Sequence, residues 1–194
     1  MGRERARGAP PPVTPRAAVL GLGNVLMGDD AFGPYLVRVL AAEWTVTPAV
    51  SLQDLGTPGL DLAPYLADLD LVVIVDTVSA PRPPGEVRTY ARADLLRHAP
   101  GPRLSPHDPG VKEAVLTAEL AGSAPRELWI VGVVPQRIGM GTALSAPVQA
   151  ALPEAMAQVR RLLGERGFLV WPRIAPRPRD IWWEAPAGLV PAQG

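Results

Sequence analysis

Residues 71–76 read Leu-Val-Val-Ile-Val-Asp, a run of five apolar residues closed by a carboxylate. An apolar run of this length without polar alternation is typical of a strand buried on both faces, as in the centre of a parallel sheet. Helices must then cover both faces of that sheet. The run therefore predicts an α/β protein with three α/β/α layers around an open, mostly parallel twisted sheet.

The segments on either side of this run alternate between the strand pattern and the helical pattern. Short apolar segments that end in glycine or polar residues predict strands, and apolar residues at intervals of three and four predict helices. Including residues 71–75, the predicted strands are 17–23, 50–55, 86–90 and 128–134, and the predicted helices are 32–40, 60–69, 111–121 and 148–163.

Both ends of the chain differ in composition from the middle. Residues 1–16 are rich in arginine and proline and poor in apolar residues, so we expect a disordered leader. A single domain is expected over residues 17–170, followed by an irregular, proline-containing tail over residues 171–194. Trp182 and Trp183 in that tail are expected to fold back over the domain's own apolar surface, with a partner-binding anchor as the alternative.

The composition excludes several classes of function. The 194 residues include 19 basic and 19 acidic side chains and no cysteine, which excludes thiol nucleophiles and iron–sulfur clusters. Because the charges balance, no basic surface for nucleic acid is expected. No apolar run reaches the roughly 18 residues of a membrane-spanning helix, so we expect neither membrane insertion nor export, and the composition is compatible with the cytoplasm.

Three residues stand at the positions where open α/β sheets bind their ligands, outside the carboxyl ends of the strands. Asp30 closes the glycine-containing loop after the first predicted strand, Asp76 follows the run at 71–75, and His107 precedes the predicted helix at 111–121. Two carboxylates and one imidazole suit a divalent ion such as nickel, zinc, iron or manganese. A hydrogen-bonded structural role is the alternative for Asp76, and Asp29 is expected to cap the following helix.

The glycines in the first loop do not form a dinucleotide-binding fingerprint. Gly21 and Gly23 begin such a motif, but Leu26 occupies the place of the third glycine. Asp29 and Asp30 would also repel a pyrophosphate. A Rossmann-type cofactor site is therefore not expected.

Five sequence segments, in this order over about residues 17–166, form a recognisable set. They are Gly21-Leu22-Gly23-Asn24-Val25-Leu26-Met27-Gly28-Asp29-Asp30-Ala31-Phe32-Gly33, Asp54-Leu55-Gly56-Thr57-Pro58-Gly59, Ile74-Val75-Asp76, Ser105-Pro106-His107 and Val131-Gly132-Val133-Val134-Pro135. Together they resemble the hydrogenase maturation endopeptidases. The resemblance implies a compact α/β/α domain that removes a C-terminal extension from the precursor of a [NiFe]-hydrogenase large subunit after nickel has been inserted.

The resemblance also implies roles for individual residues. The family's nickel-sensing ligands fall on Asp30, Asp76 and His107, with nickel supplied by the precursor and other divalent ions able to occupy the site. The family usually has glutamate at the position of Asp30, so the shorter side chain must bind through a closer backbone or through water. The turn that contains Gly56, Thr57 and Gly59 is expected to contact the precursor.

Two mechanisms and two other functions remain open at this point. Nickel could polarise the scissile carbonyl or activate a bound water, or it could serve only for docking while a carboxylate positions the water; we favour docking. The alternative functions are a nickel-sensing chaperone of the large subunit without proteolysis and a metal-dependent hydrolase of small substrates. We expect a monomer.

Overall fold

A five-stranded, mostly parallel sheet forms the centre of the protein in a computed structural model that describes residues 16–97 and 108–184. The strand order is β3-β1-β4-β6-β5, in which only the edge strand β5 runs antiparallel to its neighbour. A separate pair, β2 and β7, is antiparallel. The strands are β1 (Ala17–Leu22), β2 (Trp44–Val46), β3 (Val50–Gly56), β4 (Leu71–Thr77), β5 (Val87–Ala91), β6 (Glu127–Val133) and β7 (Val170–Pro172).

Helices cover both faces of this sheet, and the sheet divides the core in two. The helices are α1 (Phe32–Glu43), α2 (Ala63–Leu66), α3 (Arg92–Arg97), α4 (Asp108–Leu120) and α5 (Ala146–Gly164), with 3-10 turns at Asp29–Ala31 and Gly59–Leu62. Val73 of β4 packs into the core beneath α1 and α5, whereas its neighbour Ile74 packs into the core beneath α2, α3 and α4. This confirms the predicted three-layer α/β/α architecture.

All the predicted strands and helices occur, although their ends differ by a few residues and one predicted helix is split into two elements. The helix expected over 60–69 is a 3-10 turn followed by the short α2, and the chain then turns at Asp68, which has a φ of 57°. Helix α3 and the three-residue strands β2 and β7 were not predicted from the sequence. Residue 171, where the tail was expected to begin, lies within β7.

Residues 173–184 form a segment that returns along α1, and we call it the C-terminal strap. The backbone N–H groups of Arg173 and Arg177 donate to the carbonyls of Glu43 and Ala42. Trp183 is buried, as expected for a tryptophan that folds back over the domain. Trp182 differs from that expectation, because 66% of it is exposed.

Two glycines allow the first turn of α1 to lie directly against the ends of the central strands. A Cβ atom on Gly33 would be 2.3 Å from the carbonyl oxygens of Leu22 and Val75, and one on Gly21 would be 2.5 Å from the Gly33 oxygen. Only glycine fits at these positions without moving backbone. The close approach places the loop that connects β1 to α1 at the carboxyl edge of β4.

Some expectations concern residues outside the described ranges. These are the leader up to residue 15, the end of the tail after residue 184, and His107. Within the described ranges, no helix is long and apolar enough to cross a membrane.

Candidate active site at the carboxyl edge of the sheet

Asp30 is buried at the end of the loop that follows β1. Its side chain is only 4% exposed, and its Oδ2 atom accepts a hydrogen bond of 2.8 Å from the backbone N–H of Asn24. Gly23 makes this loop possible, since it has a φ of 138° and a Cβ atom there would be 1.8 Å from the carbonyl oxygen of Asp30. The loop thus folds back so that its own backbone holds the carboxylate.

Asp76 lies at the end of β4, the next strand in the sheet. It is 1% exposed, and its Oδ1 atom accepts a hydrogen bond of 2.7 Å from the backbone N–H of Thr77. Successive side chains of a strand point to opposite faces, so Asp76 shares the α4 face with Ile74, and Thr77 lies on the α1 face. The carboxylate therefore lies on the side of the sheet from which α4 begins.

Thr77 connects the two carboxylates. Its backbone N–H donates to Asp76, and its hydroxyl donates to Oδ1 of Asp30 over 3.4 Å. The structure thus brings two of the three predicted ligands to the same edge of the sheet. Sequence reasoning missed Thr77, although the strand alternation after Asp76 and its buried position are signals that could have indicated it.

Asp30 and Asp76 are of a ligand type that divalent cations accept. A buried carboxylate is costly unless hydrogen bonds or a cation compensate it, and carboxylate oxygens together with imidazole nitrogen suit first-row divalent ions. Among the residues that the structure describes, no group of three or more histidine, aspartate or glutamate side chains is arranged to hold a metal ion. The third predicted ligand, His107, lies outside those residues and is joined covalently to Asp108, the first residue of α4.

Asp29 has a different role from its neighbour. Its carboxylate accepts hydrogen bonds of 2.6 to 2.9 Å from the backbone N–H groups of Gln136, Arg137 and Ser145 and from the Ser145 hydroxyl. The prediction that Asp29 caps the following helix was wrong. A 3-10 turn intervenes, so the helix α1 starts after Ala31, and no side chain caps it. Asp29 instead fixes the loop between β6 and α5 beside the site.

The turn at residues 56–59 borders the same edge. Gly56 and Gly59 have φ values of 59° and 58°, which favour glycine, and Thr57 is exposed. The Gly56 carbonyl accepts a hydrogen bond of 2.8 Å from the N–H of Gly23, in the loop that carries Asp30. A Cβ atom on Gly110 would be 3.3 Å from the backbone of Gly59, so the first turn of α4 packs against this turn.

Comparison with known proteins agrees with this architecture. A family model described as "Hydrogenase maturation protease" matches residues 34–162, about two thirds of the chain. The chain belongs to the hydrogenase maturation protease family. Membership in this family implies hydrolase activity of the endopeptidase type.

Individual members of the hydrogenase maturation protease family match a longer part of the chain than the family model does. The chain is 31% identical to the "Hydrogenase 2 maturation protease" of Escherichia coli over 82% of its own length and 98% of that protein. It is 33% identical to "Hydrogenase expression/formation protein HupM" of Azotobacter chroococcum over 91% of its length and 83% of that protein. The solved structure of the hydrogenase maturating endopeptidase HybD from E. coli has a TM-score of 0.76 and 30% identity, covering 81% of this chain and 98% of that one.

Proposed function

We propose that this chain is an endopeptidase that removes the C-terminal extension of a [NiFe]-hydrogenase large-subunit precursor after nickel has been inserted. The observation that carries the proposal is the pair of buried carboxylates, Asp30 and Asp76, connected through Thr77 at the carboxyl edge of the sheet. The family of the chain and the name of its E. coli relative, a hydrogenase 2 maturation protease, support the same reaction.

Nickel enters this proposal as part of the substrate. The precursor carries the ion, and Asp30, Asp76 and His107 complete its coordination when the precursor docks. Carboxylate and imidazole are ligand types that nickel accepts, and a cation offsets the cost of two carboxylates in a region closed to water. A precursor without nickel would leave this cost uncompensated, so the protease would discriminate against it.

The protein's own groups prepare the site before the substrate arrives. The Thr77 backbone and hydroxyl, together with the backbone of Asn24, orient the carboxylates of Asp76 and Asp30. Fixed hydrogen bonds of this kind lower the reorganisation that ligand binding would otherwise require. Once nickel has docked the precursor, a carboxylate positions the water that attacks the scissile carbonyl.

The turn at residues 56–59 contributes to binding of the precursor. Gly56, Thr57 and Gly59 contact the chain around the cleavage site, because this turn lies between the loop of Asp30 and the first turn of α4. The enzyme acts as a monomer in this proposal. We place the reaction in the cytoplasm, a compartment that suits a chain without cysteine.

Intact mass spectrometry of a cognate large-subunit precursor tests the proposal. The precursor is incubated with the protein in nickel-loaded and nickel-free forms, and the mass of each form is followed with time. We expect loss of a C-terminal peptide from the nickel-loaded form only. Equal cleavage of both forms would refute nickel as the recognition element.

Two other outcomes would each indicate a different function. A stable complex with an unchanged precursor mass would identify a nickel-sensing chaperone that leaves cleavage to another protein. Turnover of a free peptide or ester, in an assay without the precursor, would identify a metal-dependent hydrolase of small substrates.

A further inference from the structure

The C-terminal strap lies beyond the part of the chain that the family model matches, which ends at residue 162. The strap nevertheless makes specific contacts with α1. Besides its backbone hydrogen bonds, Arg179 pairs with Glu43, and the ring of Trp183 packs edge-on against Tyr35 with 6.4 Å between ring centroids. Trp183 is only 5% exposed, so the end of the strap is anchored in the apolar core.

Arg38 of α1 joins the strap to the main sheet. Its Nη1 atom donates to the carbonyl oxygen of Asp180 over 2.8 Å and to the Asp180 carboxylate, and its Nε atom donates to Oδ2 of Asp54 over 3.0 Å. The guanidinium carbon is 5.5 Å from the centre of the Trp183 ring. One side chain thus contacts two strap residues and Asp54 near the carboxyl end of β3.

Asp54 connects Arg38 to the turn at residues 56–59. While its Oδ2 atom accepts from Arg38, its Oδ1 atom accepts from the N–H of Gly56 over 3.2 Å. Leu55 is an extra residue in the pairing of β3 with β1, because Gly21 pairs with Asp54 and Leu22 pairs with Gly56. Such bulges redirect the chain at the edge of a sheet.

We propose that Arg38 is a positioning residue through which the strap sets the turn at residues 56–59 for binding of the precursor. This inference rests on the proposed function, which assigns that turn to the precursor. The path runs from Asp180 through Arg38 and Asp54 to Gly56. Gly56 in turn accepts the hydrogen bond of Gly23 at the start of the loop that carries Asp30.

The chemistry of arginine suits this junction. The planar guanidinium presents several N–H donors in fixed directions, so it can bind Asp54 and Asp180 at the same time. A lysine has one compact charge at the end of a flexible stem and cannot reproduce both contacts with the same geometry. The substitution Arg38→Lys therefore keeps the charge and removes the positioning.

Kinetics of precursor cleavage provide the first test. We expect Arg38→Lys to raise KM for the nickel-loaded precursor about tenfold with kcat changed less than about twofold, because the contact affects binding and does not touch the reacting atoms. Asp180→Ala, at a strap residue whose side chain is 79% exposed, should raise KM about threefold. Arg161→Lys on α5 is the matched control and should leave both constants unchanged.

Hydrogen exchange of the free protein provides a readout that does not depend on activity. Amides of residues 54–57 and of Gly59 should exchange faster in Arg38→Lys and Asp180→Ala, by about tenfold in the first variant, and at the wild-type rate in Arg161→Lys. Unchanged exchange and unchanged KM in the first two variants would overturn the inference. If wild-type protein does not cleave the precursor, the proposed function fails, and the exchange rates alone decide whether the strap positions the turn.

Substitutions at two neighbouring tryptophans test whether burial of Trp183 anchors the strap. Trp183→Phe removes part of the buried anchor, whereas Trp182→Phe changes its exposed neighbour. We expect faster exchange at residues 54–59 in Trp183→Phe only. The same exchange rate in both variants, equal to wild type, would count against anchoring by the strap.

Discussion

The two edges of the parallel sheet place acidic residues in opposite surroundings. At the amino edge, Asp70 precedes β4 and Glu127 begins β6, and both carboxylates pair with arginines at a surface open to water. At the carboxyl edge, Asp30 and Asp76 are 4% and 1% exposed. Strand β4 therefore has an ion-paired carboxylate, Asp70, just before its amino end and a buried one, Asp76, near its carboxyl end.

A cavity at the amino edge is lined by paired charges. A cavity of about 620 Å³ opens at the amino edge, where Arg16, Asp70, Glu127 and Arg166 line it. These charges pair with one another, and exposed ion pairs contribute little to stability or binding. The proposed site lies instead at the carboxyl edge, where burial makes carboxylates costly and a bound cation would offset that cost.

Replacement of Asp30 should have the largest effect on activity. We expect Asp30→Ala to lower kcat/KM for the nickel-loaded precursor at least about 100-fold, because it removes a proposed nickel ligand. The assay is the rate of peptide loss by intact mass. Glu165→Ala removes an exposed carboxylate just after the end of α5 and is the control; equal activity of the two variants would contradict the site.

Replacement of the adjacent Asp29 should act on stability. Asp29→Ala leaves the backbone N–H groups of Gln136, Arg137 and Ser145 without their acceptor, and we expect the free energy of unfolding to fall by about 3 kcal/mol. Urea denaturation measures this change. A loss below about 0.5 kcal/mol, the usual range for a surface substitution, would show that Asp29 does not hold the loop.

Thr77→Val should produce a smaller and separable effect. Valine keeps the shape of threonine but removes the hydroxyl that donates to Asp30, so kcat/KM should fall about tenfold. The free energy of unfolding should change by no more than about 1 kcal/mol. Unchanged kcat/KM would mean that the 3.4 Å contact does not orient Asp30.

The smallest effect is expected on stability, from a substitution at the amino edge of the sheet. Hydrogen bonds from Arg166 and Trp129 lower the pKa of Glu127 below its ordinary value of 4.5. The resulting stability is present above that value and is lost as the pH falls through the lowered pKa. Glu127→Gln should therefore be less stable than wild type by under about 1 kcal/mol at pH 7, with the difference shrinking toward pH 3. A difference that grows as the pH falls would contradict this sign.

The central fold could be predicted from the sequence because its strands are apolar runs with regular spacing. The run at residues 71–75 predicted a buried strand and hence helices on both faces, which the structure confirms. By contrast, β2 and β7 have three residues each, too few to show a period, and they exist only because distant segments pair. The Arg38 contacts also depend on a tail whose path no local pattern encodes.

Part of the candidate site could also be predicted, because the strand pattern fixes where the strands end. Asp30 and Asp76 follow strands whose carboxyl ends share an edge, so their proximity follows from topology. The role of Asp29 was not predictable, since its partners are more than 100 residues away in the chain. Thr77 was missed because its hydroxyl acts across the sheet edge rather than along the sequence. The assignment of His107 as the third ligand stays a prediction.

Cleavage of nickel-loaded and nickel-free precursor by one pair of isosteric variants tests the central claim most directly. Asp76→Asn removes the buried charge at the carboxyl edge of β4, and Asp70→Asn removes an ion-paired charge just before the amino end of the same strand. We expect wild type and Asp70→Asn to shorten only the nickel-loaded precursor and Asp76→Asn to shorten neither form. Retention of nickel-dependent cleavage by Asp76→Asn would contradict the central claim.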